Sequence, residues 1–229
     1  TVGNELSDAA MLEQAYAQYQ GRKYCLACTS GGYGIHIALR AMGLQTGDEV
    51  LTNAYTLAPV PGAIHAAGGK PVLVEIDENY HLDLADLKAK AKASKAKILL
   101  LSLMRGHIPN MQQLMTLCNE LGIKVLEDCA HTMGASWDGI KSGNFGQVAA
   151  FSLQTYKHLN TGEGGLVVTD DAPIAARLIM HSGSYMLYER HGAAPAPEVF
   201  ENIRLVSANM SGRMDNMRAA LGLARLPNL

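Results

Sequence analysis

The sequence lacks any apolar run approaching the ~20 residues that cross a bilayer as a helix, so nothing in it reads as a membrane span. It also has little charge imbalance. Nineteen Lys and Arg stand against 21 Asp and Glu, a formal net charge of −2. So small a net charge offers no electrostatic grip on nucleic acid or on an anionic membrane surface. The opening residues, TVGNELSDAA, lack the charged-then-apolar layout of a secretory signal. Cysteine is scarce: Cys25, Cys28, Cys118 and Cys129. Cys25 and Cys28 form a lone CxxC inside the apolar stretch KYCLAC, without a second CxxC or a nearby histidine to complete a zinc set. The expectation is a buried, reduced thiol pair in a cytoplasmic protein with no disulfide framework.

What is present is enough apolar residue for a sizeable core. The chain has 229 residues, 48% of them hydrophobic, which suits one large domain or one and part of a second. Short β-branched runs alternate with helical spacing. Strands are predicted at 23–28, 49–54, 70–77, 97–103, 124–129, 147–154 and 164–170, and helices at 8–20, 33–43, 57–67, 82–93, 110–121, 171–182 and 214–226. Several strands are continuously apolar, as strands covered on both faces are. The fold class is therefore α/β, a three-layer α/β/α arrangement around a mostly parallel sheet. Strands 147–154 and 164–170 lie too close for a helical crossover, so one of them should run antiparallel. Residues 183–212 show weak periodicity and read as an excursion.

Ligands of open α/β sheets gather at the carboxyl ends of the strands, which singles out three stretches. After 23–28 comes TSGGYG, where Gly31 and Gly32 precede a helix. Backbone N–H groups converging there can hold an anion, although a plain tight turn has the same sequence. After 124–129 comes EDCAH. Alternation turns Glu127 and Asp128 to opposite sides, which disfavours a paired-carboxylate mechanism. Asp128 is then either an acceptor for a cationic ligand or a helix cap or structural ion pair. After 147–154 comes Lys157, followed by Gly162, Gly164 and Gly165, with Ser152 five residues before it. A lysine in a partly desolvated pocket becomes a nucleophile toward carbonyl carbon; an exposed lysine does not. Scattered histidines (His36, His65, His81, His181) argue against a metal site. An anion cradle, a buried carboxylate and an amine at one sheet edge are the three things that pyridoxal phosphate requires.

Four stretches, in order and spacing, carry a family resemblance: GDEVLTNAYTLAPVPGAIHAAGGKPVLVEID (47–77), LEDCAHTMGASWDGIKSGNFG (126–146), FSLQTYKHLNTGEGGLVVTDD (151–171) and SGRMDNMRAALGLARLPNL (211–229). From about Leu12 to Leu229 the chain resembles the DegT/DnrJ/EryC/StrS sugar aminotransferases, fold type I pyridoxal phosphate enzymes. The resemblance implies that Lys157 is the catalytic Schiff-base lysine and that Asp128 keeps the cofactor's ring nitrogen protonated. It implies phosphate contacts from Ser152 and the backbone amides of Gly32 and Tyr33, with Gly31 also at the cofactor, in a Ser30-Gly31-Gly32 turn that departs from the family's SGT and loses a hydroxyl ligand. It puts His131 where the family has glutamine beside the ring, and Leu57 where it has a stacking aromatic. Ser211 replaces an asparagine lent by the neighbouring subunit, and Arg213 falls at a fixed arginine to which we give a structural or interface role rather than a catalytic one. The family's smaller C-terminal domain is expected to be absent, leaving 1–229 as the large cofactor-binding domain.

The implied reaction moves an amino group from an amino acid, glutamate or glutamine, to a keto sugar carried on a nucleotide, in a homodimer with shared active sites. Two alternatives belong beside it. One is a sugar dehydratase of the same fold, whose histidine in place of the lysine would correspond to His158 only after a one-residue shift. The other is a non-catalytic regulatory relative.

Overall fold

The structure, a computed structural model, describes residues 6–184 and 188–229. The reading of the first five residues, and of 185–187 within the excursion, lies outside the described residues.

Among the described residues six of the seven α-helices begin at a Ser, Asp or Asn whose side chain caps the first turn, and the seventh, which starts at Pro59, has no such cap. Helix α1 (Asp8–Gln20) follows Ser7, whose hydroxyl accepts the Ala10 N–H, and it ends at Gly21 in the left-handed region, φ 79°. Strand β1 (Tyr24–Cys28) leads into α2 (Gly31–Ala41), capped by Ser30. Then come β2 (Glu49–Asn53), α3 (Pro59–Ala66), β3 (Lys70–Val74), α4 (Leu84–Ala93), β4 (Ile98–Ser102), α5 (Met111–Leu121) and β5 (Lys124–Asp128). A small hairpin of β6 (Ser136–Trp137) and β7 (Ile140–Lys141) precedes β8 (Val148–Ser152), β9 (Gly165–Thr169), α6 (Ala172–His181) and α7 (Asn216–Arg225).

Among the described residues seven strands form one sheet in the order β1-β9-β8-β5-β4-β2-β3. Strand β9 runs antiparallel to both neighbours, and the remaining pairings are parallel. The antiparallel pair expected between the strands either side of Lys157 is therefore present, with Val148 opposite Thr169 and Ser152 opposite Gly165. Strand β3 is shorter than predicted. The chain leaves the sheet after Val74, and Ile76 pairs instead with Leu82 across a turn.

Period-two alternation sorts the strand residues into two cores. Leu99, Leu101, Val125, Ala149 and Phe151 pack against α1, α4, α5 and α7. Ile98, Leu100, Leu126, Val148 and Ala150 pack against α2, α3 and α6. Burial of each such leucine or phenylalanine contributes roughly 1.5–3 kcal/mol, and both faces being covered explains why the strands read as unbroken apolar runs. All four cysteines are free and buried, as the CxxC reading required. The described part of the excursion holds two single-turn 3-10 segments, Tyr188–Arg190 and Pro197–Phe200. Phe200 anchors it in the core and stacks on Tyr188, centroids 4.6 Å apart.

Candidate active site

The same alternation decides what reaches the carboxyl edge on the α2 side. Ser102, Asp128 and Ser152 have the parity of Leu100, Leu126 and Ala150, so all three turn toward α2 and α3. Together with Gly31, Gly32, Thr56, Leu57, His131 and Lys157 they line a pocket of about 250 Å³. Lys157 and Asp128, 29 positions apart in the chain, thus face one cavity.

Close packing brings the start of α2 onto the sheet edge. A side chain at Gly31 would put its Cβ 2.8 Å from the Ser152 Cβ, and one at Gly165 would collide with the Ser30 carbonyl. Only glycine at both places lets the helix N-terminus sit beside Ser152. The first N–H groups of a helix have no partners within it, so Gly31 and Gly32 present donors to the pocket with the positive end of the helix dipole behind them. Tyr33 is engaged within the protein. Its N–H donates to the Ser30 hydroxyl at 3.1 Å. Its phenol donates toward the carbonyls of His181 and Met210, both at 2.9 Å. The amide expected at a ligand phosphate thus serves the helix cap in this structure.

Asp128 is buried and incompletely satisfied. One carboxylate oxygen accepts the Ala130 N–H at 3.2 Å, and the other lies 3.5 Å from the Ser102 hydroxyl. Burial pushes its pKa up to about 6, against the Ala130 N–H and the nearby Lys157 charge, which pull it down. Lys157 is shifted the other way. Burial lowers its pKa, with the Asp128 carboxylate opposing. Each group is thus moved toward its neutral form by desolvation, and a ligand offering a carbonyl to one and a cationic nitrogen to the other would relieve both.

His131 lines the pocket and accepts the Arg105 N–H on Nδ1 at 3.2 Å, which places the proton of the neutral ring on Nε2. Burial lowers its pKa, helped by the charges of Lys157, Arg105 and His158. It therefore faces the cavity as a neutral N–H donor. Leu57 and Pro59 form an aliphatic wall. Tyr55 does not replace the missing ring, because it packs on Tyr80, centroids 5.1 Å apart. Arg213 has the structural role expected: its guanidinium donates to the Gly183 carbonyl at 2.5 Å and to the Ser211 hydroxyl at 3.4 Å.

Three contributors escaped the sequence reading. The Thr56 hydroxyl donates to the Ser102 hydroxyl at 2.7 Å. The Asn53 side chain exchanges two hydrogen bonds with the Ser102 backbone, at 3.1 and 2.9 Å. Asn53 and Ser102 end buried strands and Thr56 follows the first of them, but nothing local in the sequence shows that the three meet.

A family model described as DegT/DnrJ/EryC1/StrS aminotransferase family matches residues 4–229. The chain belongs to that family. It is 34% identical over 215 residues to the GDP-perosamine synthase of Caulobacter vibrioides, covering 93% of this chain and 55% of that protein. Among solved structures it resembles DesV of S. venezuelae in complex with a ketimine intermediate, with TM-score 0.82 and 29% identity over 99% of this chain and 58% of that one. It also resembles a GDP-4-keto-6-deoxymannose-3-dehydratase carrying a trapped PLP-glutamate geminal diamine, with TM-score 0.84 and 25% identity over 98% and 62% of the two chains. The α/β fold of these family members is the one observed. The chain spans about half the length of the curated relatives it matches.

Proposed function

We propose that residues 1–229 form the large domain of a pyridoxal-phosphate-dependent aminotransferase. In this reading it moves an amino group from an amino acid, glutamate or glutamine, to a keto sugar linked to a nucleotide. The observation that carries the proposal is the convergence of the Lys157 amine, the Asp128 carboxylate, Ser152 and the open end of α2 on one pocket. That donor set fits the cofactor: an amine for its aldehyde, a carboxylate for its ring nitrogen, and a hydroxyl with helix N–H groups for its phosphate. Leu57 would cover one ring face and the His131 Nε2 proton would meet a ring oxygen. When bound, pyridoxal phosphate supplies an electron sink conjugated to the substrate nitrogen.

The chain's own groups do the rest. Desolvation lowers the Lys157 pKa, which favours the free amine, and Nζ would move a proton between the amino acid's α-carbon and the cofactor carbon that bears the transferred nitrogen, in the reverse sense with the acceptor. Asp128 would hold the proton on the ring nitrogen, and its carboxylate, otherwise short of donors, would gain a charged partner there. Leu57, Pro59 and Val60 keep water from that face.

The dehydratase alternative needs histidine in the lysine position. Lys157 lines the pocket whereas His158 is exposed, which supports transamination. A homodimer with shared sites and a cytoplasmic setting complete the proposal. The buried free thiols support the latter, and among the described residues no helix is long and apolar enough to cross a membrane. The test is the visible spectrum of the purified, cofactor-loaded protein on addition of glutamate or glutamine alone. A shift of the absorbance band supports the proposal, and an unchanged spectrum with every amino donor contradicts it.

A further inference from the structure

Among the described residues three that are not glycine have positive φ: Tyr80 at 64°, Arg105 at 51° and Asp138 at 49°. Asp138 is accounted for by the tight turn between β6 and β7. The other two lie in separate loops, Arg105 next to the pocket residue Met104 and Tyr80 against Tyr55, and a bulky residue in this region of φ is a strained one. Tyr80 packs at 5.4 Å from His107, two residues beyond Arg105, and at 5.1 Å from Tyr55. His81 extends the row, 6.1 Å from His107.

This row is continuous with the site. Tyr55 directly precedes the pocket residues Thr56 and Leu57, and Arg105 directly follows the pocket residue Met104. The Arg105 N–H is bonded to His131, and its charge helps hold down the pKa of that imidazole. Tyr80 is 51% exposed, although flanked by two rings tilted at 45° and 41°. Arg105 is exposed, and none of the ion pairs among the described residues involves it. The row comes from the loops after β2, β3 and β4, whereas Lys157 follows β8, on the other side of β5 in the sheet. It therefore leads away from the reacting amine along the sheet edge.

We infer that this rim is the docking surface for the nucleoside diphosphate part of the acceptor substrate, with Tyr80 under the base and Arg105 on the phosphates. The inference rests on the proposed function and adds a subsite to it. An aromatic face beside an unpaired guanidinium matches a flat π system joined to a polyanion. Of the proposed reactants, the amino donor has no aromatic ring and the sugar ring has neither feature. Only the nucleotide offers both, and it must extend well away from the carbon that receives nitrogen.

Calorimetric titration of the purified, cofactor-loaded protein with GDP, TDP and UDP tests the inference. The variants are Tyr80→Asn, which tolerates the left-handed backbone, Tyr80→Trp, which keeps an aromatic face, and Arg105→Gln. The expected result is saturable binding of at least one diphosphate, weakened about tenfold or more by Tyr80→Asn and by Arg105→Gln. Tyr80→Trp should retain it. Equal affinity in wild type and variants, equal loss in Tyr80→Trp and Tyr80→Asn, or no saturable binding by the wild type overturns the inference. Glutamate-driven bleaching of the wild type is a separate readout, so transamination can stand while the rim fails, or the reverse.

Discussion

Glu127 and Asp128 are neighbours at the end of β5, both buried, and they live in opposite environments. Glu127 faces the α1 side and accepts three backbone N–H groups, from Gly143 at 2.9 Å, Phe145 at 2.8 Å and Gly146 at 2.6 Å. Burial raises its pKa, and those donors together with Arg22 oppose the rise. Asp128 faces the α2 side with one N–H and one distant hydroxyl. The first carboxylate is saturated by its own loop and fastens the 143–146 segment to the sheet. The second is left short of partners beside a cavity. One residue of register thus separates a structural anchor from a binding group, and the difference lies in the number of donors rather than in burial.

The contrast can be broken by substitution. Glu127→Ala leaves three backbone N–H groups buried without an acceptor and should cost about 3–5 kcal/mol of stability, read as a large fall in the urea midpoint. Asp128→Asn should behave oppositely in the unliganded protein. The Asp128 pKa rises from its ordinary 3.8 to about 6 on folding, so the stability this group contributes is complete below pH 3.8 and is lost as pH climbs through about 6. The wild type should therefore lose about 3 kcal/mol relative to Asp128→Asn across that window, measured as parallel denaturation curves. In the loaded protein the same Asp128→Asn change should lower the donor-driven rate by about 100-fold or more, with the fold intact by circular dichroism. Ser152→Ala, which removes one hydroxyl from the proposed phosphate cradle, should weaken pyridoxal phosphate affinity by about tenfold, read by equilibrium dialysis. A large stability loss in Asp128→Asn, or none in Glu127→Ala, would remove the distinction between anchor and binding group.

Much of this was readable before the structure. Every main-sheet strand was found within three residues of its observed ends, because strands covered by helices on both faces are unbroken apolar runs. Helix α1 matched its prediction at both ends, where Ser7 and Gly21 supply unambiguous caps. The starts of α4 and α7 were placed two residues early. Asp83 and Asp215 are caps rather than helix interior, and the leucine and methionine before them mimic helical spacing. The β6–β7 hairpin went unnoticed although Asp138-Gly139 is the usual chemistry of a two-residue turn, with φ 49° and 76°. At the site, period two in β5 and β8 was enough to turn Asp128 and Ser152 inward. Ser30 competes for the Tyr33 amide, a cap that a serine three positions earlier signals. Ser102, Thr56 and Asn53 stayed hidden because their meeting depends on β2 and β4 pairing at only Leu51–Leu99 and Thr52–Leu100, then parting. No local pattern announces where two parallel strands separate.

The pairing of Lys157 with Asp128 across one pocket is the claim on which the functional account depends, and reductive trapping tests it most directly. The purified protein is incubated with pyridoxal phosphate, reduced with borohydride, digested and mapped by mass spectrometry. The account predicts one cofactor-sized adduct, on Lys157, at substoichiometric cofactor. Label spread over exposed lysines such as Lys88 and Lys92, with Lys157 unmodified, would contradict it.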